Sequence, residues 1–474
     1  MITEIIGRKS EIQELTESYE SRMAEFVIVY GRRRVGKTFL VRHVFENNFD
    51  FYVTGLFNKS KERQLENFSN ALSEYSGEDC GTPKDWYDAF RKLKQYLKNI
   101  NRPGRKIVFF DEMPWMDTQK SDFVSALENF WNGWGSGEKD LMLIVCGSAT
   151  SWITKKLFGD VGGLYNRDTR RICLQPFTLK ETEEYLIANN IMFNRYEIAE
   201  CYMILGGIPF YLSKIRKGFS LAQNIDMLLF RKNCALKDEF KHLYDALFGK
   251  SELYVKVVEA LSEKKEGLAR SEISNITGIP NSGYLTKILS NLIDCNFVAP
   301  INLYGKKSRE TVYQLSDFFT LFYFRFIKDN FGKDENFWTN RIDSPSHRAW
   351  CGFAFEQICM AHINGIKDRL GISGVATVCS AWREKSENGG AQIDLIIDRR
   401  DQVTDICEMK FSLGEYSITK EYAESLMNKI NVFRDTVKTR NAMHLVMVTS
   451  FGLKKNSHSG VVQNEVTLDD LFGS

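Results

Sequence analysis

The stretch Phe26-Val27-Ile28-Val29-Tyr30-Gly31-Arg32-Arg33-Arg34-Val35-Gly36-Lys37-Thr38, continued by Phe39-Leu40-Val41-Arg42-His43-Val44-Phe45, decides the fold. The first apolar run reads as a buried strand and the second as a helix. Between them, Gly-x-x-x-x-Gly-Lys-Thr has the strand-before, helix-after context of a phosphate-binding loop. Gly31 and Gly36 let the chain turn closely, so the backbone N–H groups of Arg32, Arg33, Arg34 and Val35 can encircle phosphate oxygens at the positive end of the following helix. Lys37 is expected to reach β- and γ-phosphates, and Thr38 to hold Mg²⁺ through its hydroxyl.

Working outward, 474 residues exceed one ordinary core and imply several domains. A chain 43% hydrophobic and 26% charged is that of a globular protein. It has no run of about 18 uncharged apolar residues and no signal-peptide shape at Met1-Ile2-Thr3-Glu4, so the expectation is a cytoplasmic protein without a membrane partner. The ten cysteines are scattered singly, which predicts reduced thiols buried as small hydrophobes rather than disulfides or zinc sites. A net charge of +2 does not advertise a nucleic-acid partner, so any DNA contact must come from local patches.

Ahead of the loop, Ser10 is placed to cap a helix presenting Ile12, Leu15 and Tyr19 on one face. Downstream, Lys106-Ile107-Val108-Phe109-Phe110-Asp111-Glu112 reads as a buried parallel strand delivering two carboxylates at its C-terminal edge. Asp111 would support Mg²⁺ and Glu112 would polarise the attacking water. A further strand, Leu141-Met142-Leu143-Ile144-Val145-Cys146, ends in Gly147-Ser148; Ser148 would either sense the γ-phosphate or cap the next helix. Arg167, Arg170 and Arg171 crowd the segment that follows, either as a source of transition-state charge or as a solvated basic turn.

From Thr178 to Gly249 the pattern is helical, with Thr178 as a cap and Leu205-Gly206-Gly207-Ile208-Pro209 as a break; an α-helical lid is expected. Residues 250–315 read helix, helix, helix, hairpin, the pattern of a winged helix, with Leu285, Ile288, Leu289 and Leu292 as the buried stripe of the third helix. That segment holds nine basic and seven acidic residues, and Lys287 is the only cation on the third helix. DNA contact and protein docking both remain open, the former helped by the tip Lys306-Lys307-Ser308-Arg309.

In the last part, a long helix Arg348 to Arg369 carries Glu356, a strand lies near Val375 to Trp382, and the loop Glu387-Asn388-Gly389-Gly390 leads to Gln392-Ile393-Asp394-Leu395-Ile396-Ile397-Asp398. A final strand, Asp405-Ile406-Cys407-Glu408-Met409-Lys410, places Glu408 and Lys410 on one face. If the two strands pair, Asp394, Glu408 and Lys410 converge: two carboxylates to hold Mg²⁺ against a phosphodiester and a lysine to orient or deprotonate water. The alternative is the exposed face of an edge strand.

Taken together, Gly7-Arg8 with Glu11, the phosphate loop, Phe109-Phe110-Asp111-Glu112, Cys146-Gly147-Ser148, Gln175-Pro176-Phe177, Leu205-Gly206-Gly207-Ile208-Pro209 and the closing Glu465-Val466-Thr467-Leu468-Asp469-Asp470-Leu471-Phe472 resemble the prokaryotic AAA-type, STAND-related P-loop ATPases fused to a DUF234 domain. Pro114 departs from the polar residue relatives often carry there. The resemblance implies an α/β fold in four parts: a P-loop ATPase core at 1–177, a lid at 178–249, a winged-helix domain with an aromatic connector at 250–345, and a domain similar to PD-(D/E)xK nucleases at 346–474. It implies ATP and Mg²⁺ as cofactors, Lys37 and Glu112 as catalytic in ATP hydrolysis, and Asp394, Glu408 and Lys410 as the nuclease signature. DNA or a second copy of the chain would be the partner. The alternative function is an ATP-gated regulatory scaffold with an inactive nuclease-like end.

Overall fold

In a computed structural model of the chain, residues 5–148, 150–159, 163–249, 251–306, 310–384 and 391–473 are described. Lys307, Ser308 and Arg309 of the expected hairpin tip, the loop Glu387-Asn388-Gly389-Gly390 and the first four residues lie outside them. Two compact units form, Met1–Pro176 with His242–Ser251, and Phe177–Lys241 with Glu252–Ser474. Of the residues expected as a lid, 178–241 are grouped with the C-terminal part of the chain and 242–249 with the first unit.

The first unit is built on a five-stranded parallel sheet. Its strands are β1 (Glu25–Gly31), β2 (Phe51–Thr54), β3 (Lys106–Asp111), β4 (Leu141–Gly147) and β5 (Arg170–Leu174), in the order β2-β3-β4-β1-β5. Continuous apolar runs make these strands because both faces are covered. On one face Phe26, Ile28, Phe110 and Val145 pack with Phe68, Trp86, Phe90 and Phe123 from the helices Lys61–Ser76, Trp86–Asn99 and Phe123–Gly133. β4 lies between the loop strand β1 and the acid strand β3, so the polar ends of all three strands reach the same edge.

The helix ahead of β1 spans Lys9–Glu20, and its first cap is Arg8, in a left-handed conformation, without a side-chain cap bond. Ser10 therefore lies inside the helix rather than capping it. Arg8 is used elsewhere: its guanidinium donates to the carbonyls of Gln175 at 2.6 Å and Val35 at 3.4 Å and pairs with Glu11 at 3.3 Å. Two segments of the family resemblance, far apart in sequence, are thereby fastened to the phosphate loop.

In the second unit, Thr178 and Glu181 form a capping box on the helix Leu179–Ala188. The helix Arg195–Leu205 ends at Gly206 and Gly207, both at positive φ, and Pro209 begins the next turn. A side chain at Gly207 would lie 2.3 Å from the Phe177 carbonyl, which also accepts from the Tyr202 hydroxyl at 2.8 Å. Further on, the helices Glu252–Ser262, Arg270–Thr277 and Gly283–Asp294 accompany a small antiparallel sheet, β6 (Leu268–Ala269), β7 (Val298–Ile301) and β8 (Val312–Leu315), ordered β6-β8-β7. Leu285, Ile288, Leu289 and Leu292 are buried on the third of these helices, while Tyr284 and Lys287 are exposed.

The last sheet is mixed: β9 (Thr377–Glu384), β10 (Ala391–Arg399), β11 (Val403–Lys410), β12 (Ala442–Thr449) and β13 (Asn464–Thr467), in the order β13-β12-β11-β10-β9. β10 runs antiparallel to both β9 and β11, and β11, β12 and β13 run parallel to one another. The long helix expected at Arg348 to Arg369 is two helices, Pro345–Ala361 and Ile363–Arg369. The break falls at His362, whose buried ring accepts from the Leu179 N–H through Nε2 at 3.0 Å and contacts the Ile358 carbonyl through Nδ1 at 2.9 Å. β11 is not the final strand. The run His444-Leu445-Val446-Met447-Val448 carried the signal for β12, and the helix Lys420–Val437 crosses back to it along the sheet. The closing motif is structural: Thr467 and Asp470 cap each other, Arg369 approaches Asp470 at 3.5 Å, and Arg195 pairs with Asp469 at 3.0 Å.

Candidate functional site

The phosphate loop is shaped by two glycines for different reasons. Gly31 sits at φ 134°, and a Cβ there would meet the Leu174 carbonyl of β5 at 2.3 Å. Gly36, at φ 93°, precedes the helix Lys37–Val44 without any side-chain cap, which leaves the first backbone N–H groups for an anion. Lys37, only 6% exposed, folds back to donate to the carbonyls of Gly31 at 3.0 Å and Arg32 at 2.7 Å. A γ-phosphate would offer that ammonium a charged acceptor in place of two neutral ones.

The acid pair meets the loop at the sheet edge. The Thr38 hydroxyl lies 3.0 Å from both oxygens of Asp111, which is buried. Glu112, at φ 44°, turns the other way, and its Oε2 accepts from the Ser148 hydroxyl at 2.9 Å and the Ser148 N–H at 3.2 Å. Burial, then the neighbouring Glu112 charge, pushes the Asp111 carboxyl above its ordinary range, against the Thr38 hydrogen bond. A divalent cation fits these donors: a hydroxyl and a buried carboxylate held by hydroxyl and backbone N–H donors. Tyr52 completes the edge, with its hydroxyl 3.5 Å from Asp111. Pro114, the departure from the family pattern, packs where a side chain at 147 would lie, 2.6 Å from the position of a Gly147 Cβ.

The arginines behave differently. Arg170 and Arg171 pair in register with Val27 and Ile28, at the end of the sheet opposite Gly31. Arg170 engages Glu17 at 3.2 Å and Glu14 at 3.7 Å; Arg171 engages Asp168 at 2.5 Å and covers the Phe158 ring. At about 3.3 Å per residue, the three or four positions to Gly31 separate both from the phosphate loop by on the order of 10 Å.

At the C-terminal sheet, β10 and β11 pair as expected, with Leu395 opposite Cys407. Glu408 and Lys410 face the helix Lys420–Val437. The Glu408 carboxylate accepts from Lys410 at 2.8 Å, Lys429 at 2.9 Å and the Tyr422 hydroxyl at 2.8 Å. Burial works against its ionisation, but the two ammonium groups prevail and hold its pKa below the ordinary value. Asp394 does not join them. A register shift between Ile393 and Ile396 puts both isoleucines into the core under the helix Lys420–Val437 and turns Asp394 to a cavity that it lines with Glu356, Met409, Arg383, Gln392 and Lys265. A one-residue bulge exchanges faces, which is the reason the expected convergence is interrupted. Burial, then the Asp394 charge, pushes Glu356 up to about 7. Among the described residues, Asp394, Glu356 and Glu408 do not bring ligand atoms within 4.8 Å of one another as a set of three. With Glu408 already saturated by protein donors, these residues do not fit a shared divalent ion as they stand. Lys429 and Tyr422 were not foreseen, because they lie on a helix whose pairing with β11 no local pattern announces.

Residues 5–215 match the profile of a family described as an ATPase domain predominantly from Archaea. The chain is 26% identical over 425 residues to an uncharacterized protein of Methanocaldococcus jannaschii, covering 88% of this chain and 90% of that one. Over 46 residues it is 41% identical to an uncharacterized ATP-binding protein of the same organism, covering 10% of this chain and 78% of that one. Among solved structures it is similar to the Walker-type ATPase of Pyrococcus abyssi (19% identity, 68% of this chain and 96% of that one, TM-score 0.47). It is also similar to the ORC2 protein of Aeropyrum pernix in its ADPNP and ADP complexes (12% identity, 66% and 90%, TM-score 0.41). Residues 5–215 are thus similar to an archaeal-type ATPase domain. Among the described residues no helix is long and apolar enough to cross a membrane.

Proposed function

We propose that this chain is an ATP-hydrolysing switch whose output lies in residues 250–474, where a winged helix and a nuclease-type sheet act on DNA. The observation that carries the input half is the pairing of Thr38 with Asp111 and of Ser148 with Glu112 at one sheet edge. Lys37 and the loop N–H groups would hold the phosphates, Glu112 would take the proton of the attacking water, and Ser148 would fix its carboxylate. Mg²⁺, held by Thr38 and Asp111, would supply charge stabilisation for the β- and γ-oxygens.

The output half is supported by the order of elements: a helix bearing Glu356, then antiparallel strands bearing Asp394 and Glu408-x-Lys410, then a returning helix and parallel strand. DNA would meet Tyr284 and Lys287 of the helix Gly283–Asp294. A second reading is favoured by one observation. The saturation of Glu408 by Lys410, Lys429 and Tyr422 suits a domain that binds a partner without cutting. A plasmid-cleavage assay with Mg²⁺ or Mn²⁺ and ATP separates them. Loss of cleavage in Asp394→Ala and Lys410→Ala supports the nuclease, whereas absent or equal cleavage across wild type and variants supports the scaffold.

A further inference from the structure

We propose that Glu200, His347 and Cys351 form a zinc-binding site that fastens the helix Arg195–Leu205 to the helix Pro345–Ala361. His347 and Cys351 are four residues apart on the second helix and so share a face. Glu200 reaches them from the first. The three are the only group of three or more His, Cys, Asp and Glu ligand atoms within 4.8 Å of one another among the described residues.

The spacing is that of a coordination shell. Nε2 of His347 lies 3.5 Å from Oε1 of Glu200, Sγ of Cys351 lies 3.8 Å from that oxygen, and Sγ lies 3.8 Å from Nε2. Tetrahedral zinc with ordinary bond lengths would separate the same atoms by about 3.3, 3.5 and 3.6 Å. A charge-assisted imidazole–carboxylate hydrogen bond would instead draw nitrogen and oxygen to about 2.8 Å. Nδ1 of His347 is buried without a partner among the described residues, so Nε2 is the nitrogen committed to the cluster.

Charge balance points the same way. Zn²⁺ with one thiolate, one carboxylate and a neutral imidazole has no net charge, and binding releases the Cys351 proton to solvent. A water fills the fourth position. Asp343, at the turn before the second helix, adds negative charge that acts on all three groups. The composition of the chain predicted no zinc site because two ligands lie on one helix and the third is far away in sequence.

The test uses the full-length chain. Elemental analysis after purification should find about one zinc per chain, and after stripping and reloading with Co²⁺ the protein should show a sulfur-to-cobalt charge-transfer band and the intense visible bands of four-coordinate cobalt. Cys351→Ser should lose the charge-transfer band. Glu200→Gln, nearly isosteric, should keep it but weaken Zn²⁺ binding by at least the about 10- to 100-fold that loss of an outer partner costs. A wild-type chain without zinc and without the band overturns the proposal. So does a Cys351→Ser variant that keeps the band, or a Glu200→Gln variant that binds Zn²⁺ unchanged; the last decides the matter if Cys351→Ser does not fold.

Discussion

Two acidic sites stand in this molecule, and they differ in who neutralises them. At the edge of the first sheet, Asp111 accepts from a threonine hydroxyl, and Glu112 from a serine hydroxyl and a backbone N–H. At the last sheet, Glu408 holds two ammonium groups and a phenol. A buried carboxylate without a cation favours binding one, whereas a carboxylate with two nearby ammonium groups has little left to gain. The difference separates carboxylates held by hydroxyl and N–H donors from one whose charge is already matched.

Four substitutions break or sharpen that contrast. The largest effect belongs to Lys37→Ala, which removes the only lysine of the phosphate loop. ATP binding, followed with a fluorescent analogue, should be lost and phosphate release should fall by about 100-fold or more; retained turnover would sink the assignment of the site. Glu112→Gln keeps the shape and the Ser148 contact but removes the base. Turnover should fall by about 100- to 10,000-fold with ATP still bound, and equal rates in wild type and variant would exclude Glu112 as the base.

Lys429→Ala tests the other side of the comparison. Releasing one oxygen of Glu408 should raise the affinity of the C-terminal site for Mn²⁺ by about 10-fold, read by paramagnetic relaxation of water protons, an effect of about 1.4 kcal/mol. No change would mean that neutralisation is not what keeps an ion away. The smallest effect is a matter of pH. Glu356 has a folded pKa of about 7 against an ordinary 4.5, so its proton is held longer in the native state than in the unfolded chain. Its contribution is fully present below about pH 4.5 and is lost as the pH rises through about 7, so stability should fall across that interval. Glu356→Gln should flatten this part of the melting-temperature profile, while an unchanged profile would show that the cavity beside Asp394 does not hold the proton.

Much of the first unit was legible in the sequence because its signals are local and contiguous. The loop, Asp111-Glu112 and Ser148 each stand at the end of an apolar strand, and parallel strands deliver their ends to a common edge. Ser10 was misplaced as a cap because Arg8, needed by Gln175 and Val35, takes the helix start in a left-handed conformation. The C-terminal sheet was harder to read. Alternation put Glu408 and Lys410 on one face correctly, but no pattern in Gln392 to Asp398 announces the bulge that turns Asp394 away.

The sequence by itself determined the phosphate loop, its acid strand, the helical capping at Thr178 and the buried stripe at Leu285 to Leu292, because each depends on spacing along one element. Only the tertiary structure decided which cations sit on Glu408, which face Asp394 takes, that Arg170 serves Glu14 and Glu17 at the far end of its strand, and that Glu200 meets His347 and Cys351. The physical reason is the same in each case: burial and charge are set by groups from other elements, and whether a carboxylate is matched or unmatched is known only once those elements have packed.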